Sequence, residues 1–163
     1  MNIADVVRQF ASIVPPAKKW PYRGSHDFVS QHGQLYQAQA LPKRFRPGTP
    51  QWCFGNSQLL AIKHGLIYVE GFAWTKKLTG LPLEHAWCVE PGSKKVIDVT
   101  WHNKCADAAY FGVPFATAYI KRRRRALNGK SFAPALIDDW QNGWPLLTGK
   151  AKNWQHQQLV AGR

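Results

Sequence analysis

The chain has 163 residues, of which 45% are hydrophobic and 13% aromatic, with three cysteines and a formal net charge of +13. This length and composition suit a single folded domain, residues 1–163, and exclude a wholly disordered chain. No apolar run is long enough for a membrane span, and the odd cysteine count without a signal-peptide pattern favours free thiols in a reducing compartment, the cytoplasm.

The positive charge is concentrated in the two flanks. Residues 1–50 carry seven basic and two acidic residues, and residues 121–163 carry nine basic and two acidic residues. The centre, residues 51–120, carries six basic and five acidic residues and is nearly neutral. Basic flanks attract nucleic acid or an acidic protein surface by sequence-independent electrostatics. The same charge also keeps a protein in solution, and both interpretations remain open at this point.

The apolar spacing and the turn residues predict an α+β fold. The elements expected in chain order are helices at 2–13 and about 28–40, a loop at 42–50, a helix at 53–64, strands at 66–74, 83–90 and 96–101, a short strand or aromatic loop at 110–115, and a helix at 116–127. Gly33 weakens the second helix, and Gly65 is a natural cap for the third. We expect the 53–64 helix to pack on a small antiparallel sheet, with helices flanking it.

A cysteine, a histidine and an aspartate fall on successive predicted elements of the nearly neutral core, residues 51–101. Cys53 begins a helix, His85 lies on a strand, and Asp98 lies on the next strand. A helix N-terminus and a neighbouring imidazole both favour the thiolate form of a cysteine, and a carboxylate can fix the tautomer of that imidazole. Taken singly, each of these residues is more often a core residue than a catalyst.

The turn between the last two strands decides whether His85 and Asp98 can meet. Gly92-Ser93 suits a two-residue hairpin loop with glycine at the first central position. That loop brings His85 and Asp98 to diagonal positions on one face of the hairpin, within side-chain reach. A slip of one residue in the register would place them on opposite faces.

The order and setting of these residues resemble the papain-like and transglutaminase-like superfamily of thiol enzymes. The matching segments are Gln51-Trp-Cys-Phe-Gly-Asn56, Glu84-His-Ala-Trp87 and Ile97-Asp-Val-Thr100. The resemblance implies that Cys53 attacks an amide or ester carbonyl, that His85 acts as base and then acid, and that Asp98 orients His85. It implies no metal and no organic cofactor, and a protein or a small amide as the substrate.

Four further residues near these motifs are candidates for contacting a substrate or an oxyanion. Gln51 precedes the cysteine, Asn56 follows it by three positions, and Trp87 shares a strand face with His85. Glu70 interrupts an apolar strand, so it either lines the site as a binding group or acid–base group, or faces solvent. The Cys53 backbone N–H is the most direct oxyanion donor.

A basic run, Lys121, Arg122, Arg123, Arg124 and Arg125, is the sharpest candidate for contacting phosphates. Five consecutive cations on a helix point in all directions, so a solvated helix face explains the run equally well. The sequence therefore predicts a thiol-dependent hydrolase or acyltransferase, such as a peptidase, deamidase or transglutaminase-like enzyme. The alternative is a non-enzymatic nucleic-acid-binding protein built on an inactive papain-like core.

Overall fold

The computed structural model describes residues 2–16, 19–75, 81–126 and 135–157. Its elements are α1 (Ile3–Ile13), α2 (Ser25–His32), β1 (Gln34–Tyr36), α3 (Cys53–His64), β2 (Ile67–Thr75), β3 (Leu83–Val89), β4 (Ala108–Phe115) and α4 (Thr117–Ala126). The strands form one antiparallel sheet in the order β1-β4-β2-β3, so that β3 lies at an edge. Helix α3 packs against β2 and β3. The fold is therefore α+β, with the Cys53 helix packed on a small antiparallel sheet.

Apolar side chains cover both faces of the sheet. The face of the sheet that the helices cover carries one cluster, which includes Phe28 of α2 and the strand residues Tyr68, Phe72 and Phe111. The opposite face carries a second cluster, which includes Trp87 and residues outside the strands such as Cys105. Because both faces are buried, β2 is apolar almost throughout and does not alternate between apolar and polar residues. None of the described helices is both long and apolar enough to cross a bilayer.

Several predicted elements are confirmed with small shifts in their ends. Helices were expected at 2–13, 53–64 and 116–127, and they correspond to α1, α3 and α4, although residue 127 lies outside the described ranges. Gly65 closes α3 in a left-handed conformation with φ of 66° and donates its N–H to the Ala61 carbonyl. The aromatic segment 110–115 is part of a central strand, β4.

The predicted helix at about 28–40 is wrong in its second half. The helix covers Ser25–His32 and ends at Gly33, whose backbone is extended (φ −80°, ψ 160°). The chain then forms β1, in which Gln34 pairs with Gly112 of β4. Strand pairing therefore overrides the helical propensity of residues 34–40.

The predicted strand at 96–101 is reduced to a single antiparallel bridge between Cys88 and Ile97. The turn also differs from the predicted Gly92-Ser93 loop. The Ser93 N–H donates to the Glu90 carbonyl, and Gly92 has a φ of 75°. Pro91 and Gly92 are therefore the first and second central residues of the turn. This is the residue pattern of a type II turn. Residues 94–96 leave the hairpin to hydrogen-bond Gln37, and the chain returns to β3 at Ile97 in the predicted register.

The two central strands approach very closely at a pair of glycines. Gly71 of β2 pairs with Gly112 of β4 and with His85 of β3. A Cβ atom at Gly71 would lie 2.4 Å from the Gly112 Cα and from the Phe111 carbonyl oxygen. Only glycine therefore fits at position 71, directly beside the strand position of His85.

Candidate active site

Cys53 is the first residue of α3, and its free thiol is half-buried. Two residues earlier, Gln51 has a left-handed backbone with φ of 60°. Trp52 lays its ring over Gly55, where a Cβ atom would lie 2.2 Å from Trp52 Cε2. A non-glycine residue with positive φ is uncommon, and such strain concentrates at functional sites. Local backbone strain and tight packing thus fix the turn that presents Cys53.

His85 lies on the edge strand β3 and is 2% exposed. Its Nε2 atom is 2.7 Å from Asp98 Oδ2. Trp101 stacks on the imidazole, with ring centroids 4.2 Å apart and an interplanar angle of 24°. The predicted proximity of His85 and Asp98 is confirmed, and the stacked indole shields one face of the imidazole from water.

Asp98 is fully buried and accepts hydrogen bonds on both carboxylate oxygens. Oδ1 accepts from the backbone N–H groups of Thr100 (3.0 Å) and Trp101 (2.9 Å), and Oδ2 accepts from the Tyr110 hydroxyl (2.9 Å) as well as from His85. Burial alone would raise the pKa of Asp98, but His85 and these donors lower it below its ordinary value. The carboxylate is therefore held ionised and in one orientation.

The protonated form of His85 is stabilised from two sides. Burial lowers the pKa of the imidazole, but the charge and hydrogen bond of Asp98, together with hydrogen bonding and charge from Cys53, raise it to about 9. Since Nε2 faces the ionised Asp98, it carries the proton of the neutral ring, and Nδ1 is the nitrogen that remains for the thiol. In the folded protein the imidazole thus lies between the thiol on one side and the carboxylate on the other.

Sequence reasoning missed two aromatic partners of this site. Trp101 lies in the segment predicted as a strand, where its stacking on His85 was not evident. Tyr110 lies on β4, and its contact with Asp98 follows from a strand order that local patterns do not reveal. Burial, followed by the charge and the hydrogen bond of Asp98, raises the pKa of the Tyr110 hydroxyl far above its ordinary value, so this group remains a hydrogen-bond donor.

The three weaker candidates around the motifs have different positions. Gln51 is exposed beside Cys53. The Asn56 amide nitrogen donates to the Thr49 carbonyl and to the Thr100 hydroxyl, and its oxygen accepts from the Thr49 N–H. Both amide hydrogens are thus in use, so Asn56 anchors the preceding loop and has no donor left for an oxyanion. Trp87 is completely buried, which contradicts the prediction that it contacts a substrate.

Glu70 is buried, so the solvent-facing alternative is wrong. Its carboxylate accepts from the Tyr68 hydroxyl (2.6 Å) and from the backbone N–H groups of Leu136 (2.7 Å) and Ile137 (2.8 Å). Burial raises the pKa of Glu70 to about 7, although these three donors act in the opposite direction. Glu70 therefore ties the segment after α4 to the sheet.

The basic run on α4 is largely engaged within the protein. Arg123 forms an ion pair with the buried Asp139, and Arg124 donates to Gln58 on α3. Arg122 donates to the Lys152 carbonyl. Arg123 and Arg124 thus hold α4 in place, whereas Lys121 and Arg125 are exposed. The five cations therefore do not act as one phosphate-binding cluster, in keeping with the sequence argument that they point in all directions.

Within the described ranges, no group of three His, Cys, Asp or Glu side chains is arranged to hold a metal ion. Comparison with protein-family models, curated proteins and solved structures found no match to the chain. The resemblance to papain-like and transglutaminase-like enzymes therefore remains an expectation that rests on the three short sequence motifs.

Proposed function

We propose that the protein is a thiol-dependent hydrolase or acyltransferase that acts on an amide-type bond through Cys53, His85 and Asp98. The observation that carries this proposal is the buried His85–Asp98 pair, at 2.7 Å, whose imidazole also interacts with the thiol at the start of α3. A histidine with a merely structural role has no need of a nucleophile on one side and an ionised carboxylate on the other.

The proposed reaction begins when the Cys53 sulfur attacks the carbonyl carbon of the substrate. The raised pKa of His85 favours its imidazolium form before the attack, so the thiol proton rests on Nδ1 of His85, and Asp98 stabilises this imidazolium. The C–N bond then breaks, the leaving amine takes its proton from His85, and a thioester remains on Cys53. Water or an acceptor amine then attacks the thioester carbonyl and gives up a proton to His85. The acyl–sulfur bond breaks, the product leaves, and the proton is again shared between His85 and the Cys53 sulfur.

Backbone N–H groups at the start of α3 supply the oxyanion site in this proposal. The first intrahelical bond of α3 runs from the Asn56 N–H to the Trp52 carbonyl. The N–H groups of Cys53, Phe54 and Gly55 precede it and have no intrahelical acceptor. They point along the helix axis toward the developing negative charge, which the helix dipole also favours.

Peptide cleavage, glutamine deamidation and transamidation share these steps and are all consistent with the site. The substrate is accordingly a protein or a small amide. The three free thiols are compatible with a reducing compartment, so a cytoplasmic location is part of this proposal.

Site-resolved alkylation tests the proposal. We expect iodoacetamide at pH 7 to modify Cys53 about 5- to 10-fold faster in the wild type than in a His85→Gln variant, because only a few per cent of an ordinary thiol is ionised at that pH. Cys88 and Cys105, both 0% exposed, are internal controls that should remain unmodified in folded protein. His102→Gln, at an exposed position, is the matched control and should leave the rate unchanged.

The rate must also be compared with that of a small free thiol. If Cys53 reacts no faster than the free thiol, and His85→Gln does not slow it, the proposed nucleophile is refuted. Mass spectrometry of the alkylated peptides assigns the rate to each cysteine.

A further inference from the structure

An open groove lies between α4 and the segment 145–153. Its volume is about 400 Å³, and its walls are formed by Tyr119, Arg122, Arg123, Pro145, Lys150, Ala151, Lys152 and Asn153. Four of these eight residues are cationic, and none is acidic. The groove therefore draws its charge from two segments that are separate in sequence, whereas the sequence pointed to the single run at 121–125.

One of the four cations is neutralised within the protein. Arg123 pairs with Asp139, which is 1% exposed and also accepts from Asn142. The other three, Arg122, Lys150 and Lys152, have exposed side chains and no acidic partner among the described residues. Three uncompensated positive charges thus face one groove, which favours an anionic ligand.

Arg122 is held in position before any ligand arrives. One guanidinium nitrogen donates to the Lys152 carbonyl at 3.0 Å, and the guanidinium lies over the Tyr119 ring, 5.1 Å from its centroid. The hydrogen bond to Lys152 crosses the groove from α4 to the opposite wall, and the contact with Tyr119 lies within α4. An ordered guanidinium with unused N–H groups loses less conformational entropy on binding a phosphate than a free side chain does.

A buried hydrogen-bond donor lies in the wall of the same groove. Tyr119 is 2% exposed, and its hydroxyl has no hydrogen-bond partner among the described residues. Most buried polar groups in proteins are paired, so the unpartnered hydroxyl of a residue that lines this groove is an unusual feature.

We propose that this groove binds the phosphate backbone of a nucleic acid strand. The groove is open, as a site for a continuous strand must be, and its cations belong to both walls. Its lining offers charge and N–H donors but no free aromatic face for a base, because Arg122 covers the Tyr119 ring. Binding is accordingly independent of base sequence. This proposal does not rest on the thiol chemistry.

The test measures the salt dependence of binding to a short fluorescent single-stranded DNA by anisotropy. In a triple variant, Arg122→Gln with Lys150→Gln and Lys152→Gln, we expect the slope of log affinity against log salt to become shallower by about 2, because each phosphate contact contributes about 0.7 on single strands. At 0.1 M salt, this corresponds to a loss of affinity of about 100-fold.

A matched variant separates the groove from general charge. Lys94→Gln with Lys95→Gln and Lys104→Gln removes the same number of exposed cations elsewhere on the surface and should weaken binding less than about threefold. The charge-conserving triple variant, Arg122→Lys with Lys150→Arg and Lys152→Arg, should keep the wild-type salt slope and lose at most a few-fold in affinity. Circular dichroism checks that each variant is folded. Cys53→Ala should also bind normally, which keeps this result separate from that of the alkylation experiment.

Equal losses in the two neutralised variants would overturn the proposal, because binding would then follow net charge alone. Wild-type affinity and slope in the groove variant would also overturn it. A third outcome would also count against a strand-binding groove. If millimolar inorganic phosphate displaces the DNA, and a longer DNA strand binds no more tightly than the short one, the groove is a site for single phosphates.

Discussion

Replacing Asp98 with asparagine should remove the charge that keeps His85 protonated while preserving the size of the side chain. The amide oxygen can still accept from the Thr100 and Trp101 N–H groups. The amide nitrogen then faces His85 Nε2 and the Tyr110 hydroxyl, which both donate to a carboxylate in the wild type. We expect the imidazole to accept from this nitrogen, which moves the ring proton to Nδ1, the atom that must receive the thiol proton.

The magnitude follows from the pKa of His85. Asp98 and Cys53 raise this pKa from its ordinary 6.5 to about 9, against the effect of burial. That difference corresponds to roughly 3 kcal/mol of preference for the imidazolium in the folded protein. Because the pKa is higher in the folded than in the unfolded state, this stabilisation is complete below pH 6.5 and is lost as the pH rises through about 9. In Asp98→Asn, burial dominates, and the pKa should fall to 6.5 or lower.

Two assays read this change. Nitrogen NMR of labelled histidine, with His85→Gln used to assign the signal, should show titration of His85 near pH 9 in the wild type and at or below 6.5 in the variant. Urea unfolding between pH 6 and 9 should show a decline in wild-type stability that the variant lacks. A wild-type His85 that titrates near 6.5, or a variant that still titrates near 9, would refute the electrostatic argument.

Two further substitutions test the support around the site. Glu70→Gln should destabilise the fold by about 1–3 kcal/mol in urea, because an amide cannot accept both backbone N–H groups that the carboxylate binds. Exposed Glu90→Gln should cost less than about 1 kcal/mol, and equal costs would contradict this role. Because the pKa of Glu70 is higher in the folded protein, wild-type stability should fall as the pH rises from 4.5 to about 7. The Glu70→Gln variant should lack this decline. Gly71→Ala should lower the melting temperature sharply or prevent folding, since its Cβ would lie 2.4 Å from the Gly112 Cα. The control Gly24→Ala, whose Cβ would have no atom within 4 Å, should melt near the wild type. Similar melting temperatures for the two variants would refute the close-approach argument.

The proximity of His85 and Asp98 was predictable because it depends on register, and the Cys88–Ile97 bridge has the register that was expected. The turn itself was misjudged, since Pro91 and Gly92 occupy its centre. The register is nevertheless the same because residues 94–96 leave the hairpin to bond Gln37. Nothing local in the sequence shows that detour, since Gln37 lies almost sixty residues earlier in the chain.

The aromatic contacts and the partners of the basic run were beyond sequence reasoning for the same reason. Tyr110 reaches Asp98 only because β4 inserts between β1 and β2. The charge of Arg123 is visible in the sequence, but its neutralisation by Asp139 is a tertiary fact. Local propensity located α3 and the position of Cys53 well because capping and helix periodicity act within a few residues.

The strand order also determines when the site can form. The β2–β3 hairpin holds His85, but an isolated two-stranded hairpin is only marginally stable in water. The hairpin is extended when β4 pairs with β2. Strand β4 also pairs with β1 near the beginning of the chain, so the long loop between β1 and β4 must close before the sheet is complete. A nascent chain that has emerged only as far as Asp98 contains the thiol, the imidazole and the carboxylate but cannot hold them together. In the reaction that we propose, the thiol therefore gains its catalytic partners only when the sheet is complete.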